Sequence, residues 1–106
     1  MLNSNNQHLD DKINSLITFA KLSNIQHEIT YESEQGYISF TNRTMHIEIR
    51  IQFNTPTPIF RILVCLILTR IDGEEWKILK KIQCNNLLPK SIDNAFTKLN
   101  PYITKL

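Results

Sequence analysis

Residues 45–53 read MHIEIRIQF. Every second residue is apolar: Met45, Ile47, Ile49, Ile51 and Phe53. Between them stand His46, Glu48, Arg50 and Gln52. A period of two belongs to an extended strand, whose successive side chains point to opposite faces. One face of this strand is dry and the other wet, as in an antiparallel sheet covered on one side.

The next strand downstream breaks that rule. IFRILVCLILTRI (residues 59–71) places Ile59, Leu63, Cys65, Ile67 and Ile71 on one face. Phe60, Ile62, Val64, Leu66 and Leu68 fall on the other. Both faces are apolar. NTPTP (residues 54–58) separates the two strands, because Pro56 and Pro58 cannot donate to a sheet ladder.

Working outward, Ile25, His27, Ile29 and Tyr31 alternate with polar residues and predict a strand. Ser33 to Gly36 supplies a turn, and YISFT (residues 37–41) a short strand. Asp72 and Gly73 signal a hairpin into EEWKILKKIQC (residues 74–84). There Trp76, Ile78, Ile82 and Cys84 are expected on one face, with Lys77, Leu79, Lys81 and Gln83 on the other. Leu9, Ile13, Leu16, Ile17 and Ala20 form a helical stripe over residues 9–23. Ile92, Ala95, Phe96, Leu99, Ile103 and Leu106 form a second one. Pro89 suits the start of that helix, and Pro101 is expected to kink or split it.

The expected fold is therefore α+β. A single domain over residues 9–106 holds a five-stranded, mainly antiparallel sheet with an N-terminal and a C-terminal helix, in the order α-β-β-β-β-β-α. Residues 1–8 read as a flexible polar lead-in. A chain of 106 residues suits one domain with one core. An antiparallel meander with both helices packed on one face is expected, with strand order the less fixed part, since the proline loop could carry the fourth strand across the sheet.

Composition removes several function classes. A formal net charge of +2 is low for a strongly electrostatic nucleic-acid binder. The basic residues Lys77, Lys80, Lys81, Lys90, Arg61 and Arg70 leave weak nucleic-acid binding as a distant alternative. No apolar run is long enough to span a bilayer, and no secretory leader is visible. The two cysteines, Cys65 and Cys84, lie in apolar strands without metal-ligand spacing. A cytoplasmic setting with no cofactor and no metal is the expectation.

No catalytic residue is assigned. GxSxG, Walker A, GxGxxG and HExxH motifs are all missing from the sequence. Only two glycines exist, and turns explain both. His46, Glu48 and Arg50, spaced about 7 Å apart along one strand face, form a possible polar or ligand site with Trp76 and Tyr37. His27 shares a face with Ile25 and Ile29, where a hydrogen-bonded, half-buried histidine is the ordinary outcome.

The surplus apolar face carries the functional expectation. Soluble monomers seldom expose that much contiguous apolar surface. Either one helix covers each sheet face, or a partner covers the second, or a groove forms there. The leading reading is a small non-catalytic protein-binding or adaptor module, expected to be dimeric. Its partner-binding residues are Phe60, Ile62, Val64, Leu66, Leu68 and Leu79. Chaperone-like, regulatory and immunity-type roles all fit. The alternative is a small-ligand-binding or enzymatic cone-like domain. GEEWKIL (residues 73–79) resembles a strand of NTF2-like cones, although the further helices of such folds have no counterpart here. The element order also resembles secretion-chaperone folds, with NTPTP in place of their central helix. Likeness of fold alone transfers no function.

Overall fold

A computed structural model of the chain describes residues 7–31, 35–52, 62–71, 73–84 and 86–106. Helix α1 spans Gln7–Leu22 and helix α2 spans Pro89–Ile103. Between them lie β1 (Gln26–Tyr31), β2 (Gln35–Thr41), β3 (Met45–Gln52), β4 (Ile62–Thr69) and β5 (Lys77–Cys84). The sheet order is β1-β2-β3-β4-β5, with every neighbouring pair antiparallel. β3 and β4 are direct neighbours, from Met45 opposite Thr69 to Gln52 opposite Ile62, so strand order follows the chain. The proline-bearing stretch itself (residues 54–58) and residues 1–6 of the expected lead-in lie outside the described residues.

Local chemistry sets the element ends. Helix α1 begins two residues before the apolar stripe predicts. The Gln7 side chain donates to Asp11 at 2.7 Å, and His8 bonds Asp93 of α2 at 2.7 Å. The helix closes at Asn24, whose φ of 54° lies in the left-handed region that asparagine tolerates. Ile25 N–H then donates to the Ala20 carbonyl at 2.8 Å, satisfying an end carbonyl of the helix. In the β2–β3 turn, the Asn42 side-chain oxygen accepts from the N–H groups of Thr44 (3.0 Å) and Met45 (2.7 Å).

Pro101 does not split α2, contrary to the sequence expectation. It sits in the last turn, so its missing N–H forfeits a single bond near an end that frays anyway. Meanwhile Leu99 and Ile103 stay buried on either side of it.

Both helices pack on one face of the sheet. Leu9, Ile13, Ile17 and Ala20 of α1 and Ile92, Ala95, Leu99 and Ile103 of α2 join one core. The sheet contributes Ile38 and Phe40, the row Ile47, Ile49 and Ile51, then Leu63, Cys65 and Ile67, and finally Ile82 and Cys84. Full burial of each large side chain contributes roughly 1.5–3 kcal/mol, so this layer dominates stability. The possibility of one helix per face is not realised.

Strand β5 departs from its expected alternation. Ile67 pairs with Lys80 but Leu68 pairs with Ile78, so Leu79 is the extra residue of a bulge. The shift moves Ile78 to the side of Leu68, where it is 67% exposed, while Ile82 and Cys84 remain in the core. The expected common face of Ile78, Ile82 and Cys84 is thus divided. It also puts Lys77 and Lys80 on one side and Lys81 on the other, where strict alternation would group Lys77 with Lys81. Ile71, predicted to continue a buried face, lies past the strand end and is 73% exposed.

Candidate functional site

The sheet face away from the helices carries the residues of interest. Cross-strand register orders them in rows, because directly opposed residues share a face. The central row runs Glu28, Ser39, Glu48, Leu66, Lys81 from β1 to β5. One neighbouring row runs Gln26, Thr41, His46, Leu68, Ile78. The other runs Thr30, Tyr37, Arg50, Val64, Gln83. The face is therefore polar over β1 to β3 and apolar along β4.

Glu48 anchors the polar part. Its side chain is only 16% exposed. The Tyr37 hydroxyl donates to Oε1 at 3.0 Å, and His46 Nε2 lies 3.1 Å from the same oxygen. Arg50 donates to Oε2 at 2.8 Å. Burial alone would raise the Glu48 pKa, but these hydrogen bonds outweigh it and hold the carboxyl below its ordinary value. A carboxylate only accepts, so Nε2 of His46 carries the proton, and Nδ1 faces the Thr41 hydroxyl at 2.7 Å. Burial, followed by the bond to Glu48, raises the Tyr37 phenol above its usual range.

Trp76 closes one corner. Its ring centroid lies 5.7 Å from that of His46, and the Arg70 guanidinium stacks over it at 4.2 Å. Arg70 Nε–H also donates to the Arg43 carbonyl at 3.0 Å, tying this corner to the β2–β3 turn. All four polar candidates, His46, Glu48, Arg50 and Trp76, are brought together. They form a network whose carboxylate is already engaged by three donors.

The apolar candidates divide. Val64, Leu66 and Leu68 line the open face, each partly exposed. Leu79 is 54% exposed at the bulge. Ile62 is a strand residue opposite Gln52, but its side chain, like all of Phe60 and Arg61, lies outside the described residues. A groove of about 340 Å³ runs over β4, lined by Val64 and Leu66, with Arg50 toward β3 and Lys81 toward β5.

Sequence reading missed Ile78 and Thr41 as members of this face. The bulge hides the first, since a pattern of two cannot announce a skipped residue, whereas Lys81 keeps the side its alternation gives it. Thr41 was legible in principle, because the Asn42 turn sets the register that places it opposite His46.

Other candidates resolve into packing. His27 donates to the Ile25 carbonyl at 3.0 Å, as a half-buried histidine should. Both cysteines are free and buried, and burial pushes the Cys65 thiol up to about 12. Among the described residues no group of three or more His, Cys, Asp or Glu side chains is placed to hold a metal ion. No described helix is long and apolar enough to cross a membrane.

No protein-family model matches the chain, and no significant match is found among curated proteins or solved structures.

Proposed function

We propose that the chain is a small, non-catalytic protein-binding module that holds its partner on the open face of the sheet. The observation that carries this reading is the placement of both helices on one face. It leaves Val64, Leu66, Leu68 and Ile78 without a covering layer. A partner that covers them gains the free energy of removing that surface from water. The adjacent polar rows give such an interface its rim, where hydrogen bonds orient rather than drive association. Chaperone-like, regulatory and immunity-type roles share this chemistry. Two free, buried cysteines suit a reducing compartment, and we place the module in the cytoplasm.

The test is affinity co-purification from the native cell with three baits: wild type, Leu66→Lys and the helix-surface control Phe19→Ser. Phe19 is 40% exposed on α1. A stoichiometric partner held by wild type and by Phe19→Ser but lost from folded Leu66→Lys is the expected result. Equal retention by all three baits would place binding elsewhere.

A further inference from the structure

The open face is self-complementary, and its symmetry names an occupant. Leu66 stands in the central row between Glu48 on the β3 side and Lys81 on the β5 side. A two-fold axis lying along β4, between two stacked sheets, keeps each residue at its own height along the strand. It exchanges β3 with β5. Leu66 then meets Leu66 of a second copy, and each Glu48 faces a Lys81 across the interface. The other face-to-face arrangement, with the axis across the strands, sets Glu48 on Glu48 and Lys81 on Lys81, which like-charge repulsion opposes.

We infer that the open face binds a second copy of this chain, with β4 stacked on β4 and a Glu48–Lys81 pair on either side of Leu66. This deepens the module reading above and rests on it.

Three further observations bear on it. The described charges of the face (Glu28, Glu48, Arg50, Arg70 and Lys81) sum to +1, so the net repulsion between two copies is small. The polar strands β1 and β2 fall outside the overlap, while the apolar residues of β4 fall at its centre, the usual anatomy of an interface. Three strands about 4.8 Å apart and about 27 Å long present roughly 400 Å² per copy. The total, about 800 Å², falls below the roughly 1,200 Å² at which stable specific interfaces begin, so association is weak, transient and concentration-dependent.

The experiment has three arms. Sedimentation equilibrium of wild type, from low micromolar to millimolar, is expected to approach twice the 12.4 kDa chain mass. Lys81→Gln is expected to weaken the dimer several-fold, through loss of the cross-interface attraction. Leu66→Cys is expected to form a disulfide-linked dimer under mild oxidant, whereas Thr30→Cys, on β1 outside the overlap, stays monomeric. Cys65 and Cys84 are buried and do not compete.

A wild type that stays monomeric to millimolar overturns the inference. So does tighter association in Lys81→Gln, which is the mark of the crossed arrangement. Cross-linking at Thr30 as fast as at Leu66 overturns it too. A monomer that still captures a different protein, through a face disabled by Leu66→Lys, leaves the module reading standing with another occupant. A monomer whose capture ignores that substitution removes both.

Discussion

Tyr37 and Glu48 meet diagonally across β2 and β3, the phenol hydroxyl donating to the carboxylate at 3.0 Å. That bond, with those from His46 and Arg50, turns a row of alternating polar residues into one connected network. Removing one donor should therefore be felt by the carboxylate. Tyr37→Phe is expected to lower stability by about 1.5–3 kcal/mol, the range for a hydrogen bond to a charged group. The Glu48 pKa should rise at the same time. Urea denaturation and a carboxyl-detected NMR titration read the two effects.

The same network sets a pH window. Glu48 has a folded pKa below its unfolded value, so its contribution is fully present above the unfolded carboxylate pKa of about 4.3. It is lost as pH falls through the lower, folded value. Tyr37 is shifted the other way: its folded pKa is raised, so the unfolded chain releases that proton first. Stability should decline as pH rises past the unfolded tyrosine value of about 10. Denaturation midpoints measured across pH are expected to form a plateau with both flanks falling. In Tyr37→Phe the alkaline fall should be reduced.

Inner and outer residues of the sheet should respond differently to truncation. Ile49 is fully buried beneath the helices, and Ile49→Ala is expected to cost about 2–5 kcal/mol. Ile78, 67% exposed beside the bulge, should tolerate alanine within about 0.5 kcal/mol in dilute solution. Parallel urea titrations check both. Similar losses at the two positions would mean that the bulge does not turn Ile78 outward.

Cys65 provides an independent probe of the core. Burial, reinforced by neighbouring Cys84, pushes its thiol up to about 12, so almost none is thiolate at neutral pH. A thiol reagent added to the native protein is expected to react only as fast as the chain opens. Rapid native-state labelling would contradict the close packing of β4 and β5 beneath α2.

Much of this architecture was legible because its strands obey simple periods. MHIEIRIQF announces a dry and a wet side, and Ile47, Ile49 and Ile51 are buried as it implies. The surplus of β4 was legible as well, but its meaning was not. Whether a helix covers Val64, Leu66 and Leu68 depends on where α1 and α2 dock, a tertiary choice that no local pattern encodes. The bulge at Leu79 is similar, since one skipped residue reverses Ile78 and Lys77 without altering any residue type. Pro101 misled because its effect depends on its distance from the helix end. The polar site was legible as a row and not as a network. Tyr37 and Thr41 come from the neighbouring strand, and only register brings them to Glu48 and His46.

The outward face of β4 is the proposed binding surface. Methyl NMR tests it most directly, because Val64, Leu66 and Leu68 point outward while Leu63 and Ile67 point inward from the same strand. Spectra are recorded as the protein is taken from dilute to concentrated solution, and again with any co-purified partner. Shifts and broadening are expected at the methyls of residues 64, 66, 68 and 78, with those of residues 63 and 67 unmoved. Perturbations confined to α1 and α2, or an outward face whose methyls never respond, would contradict it.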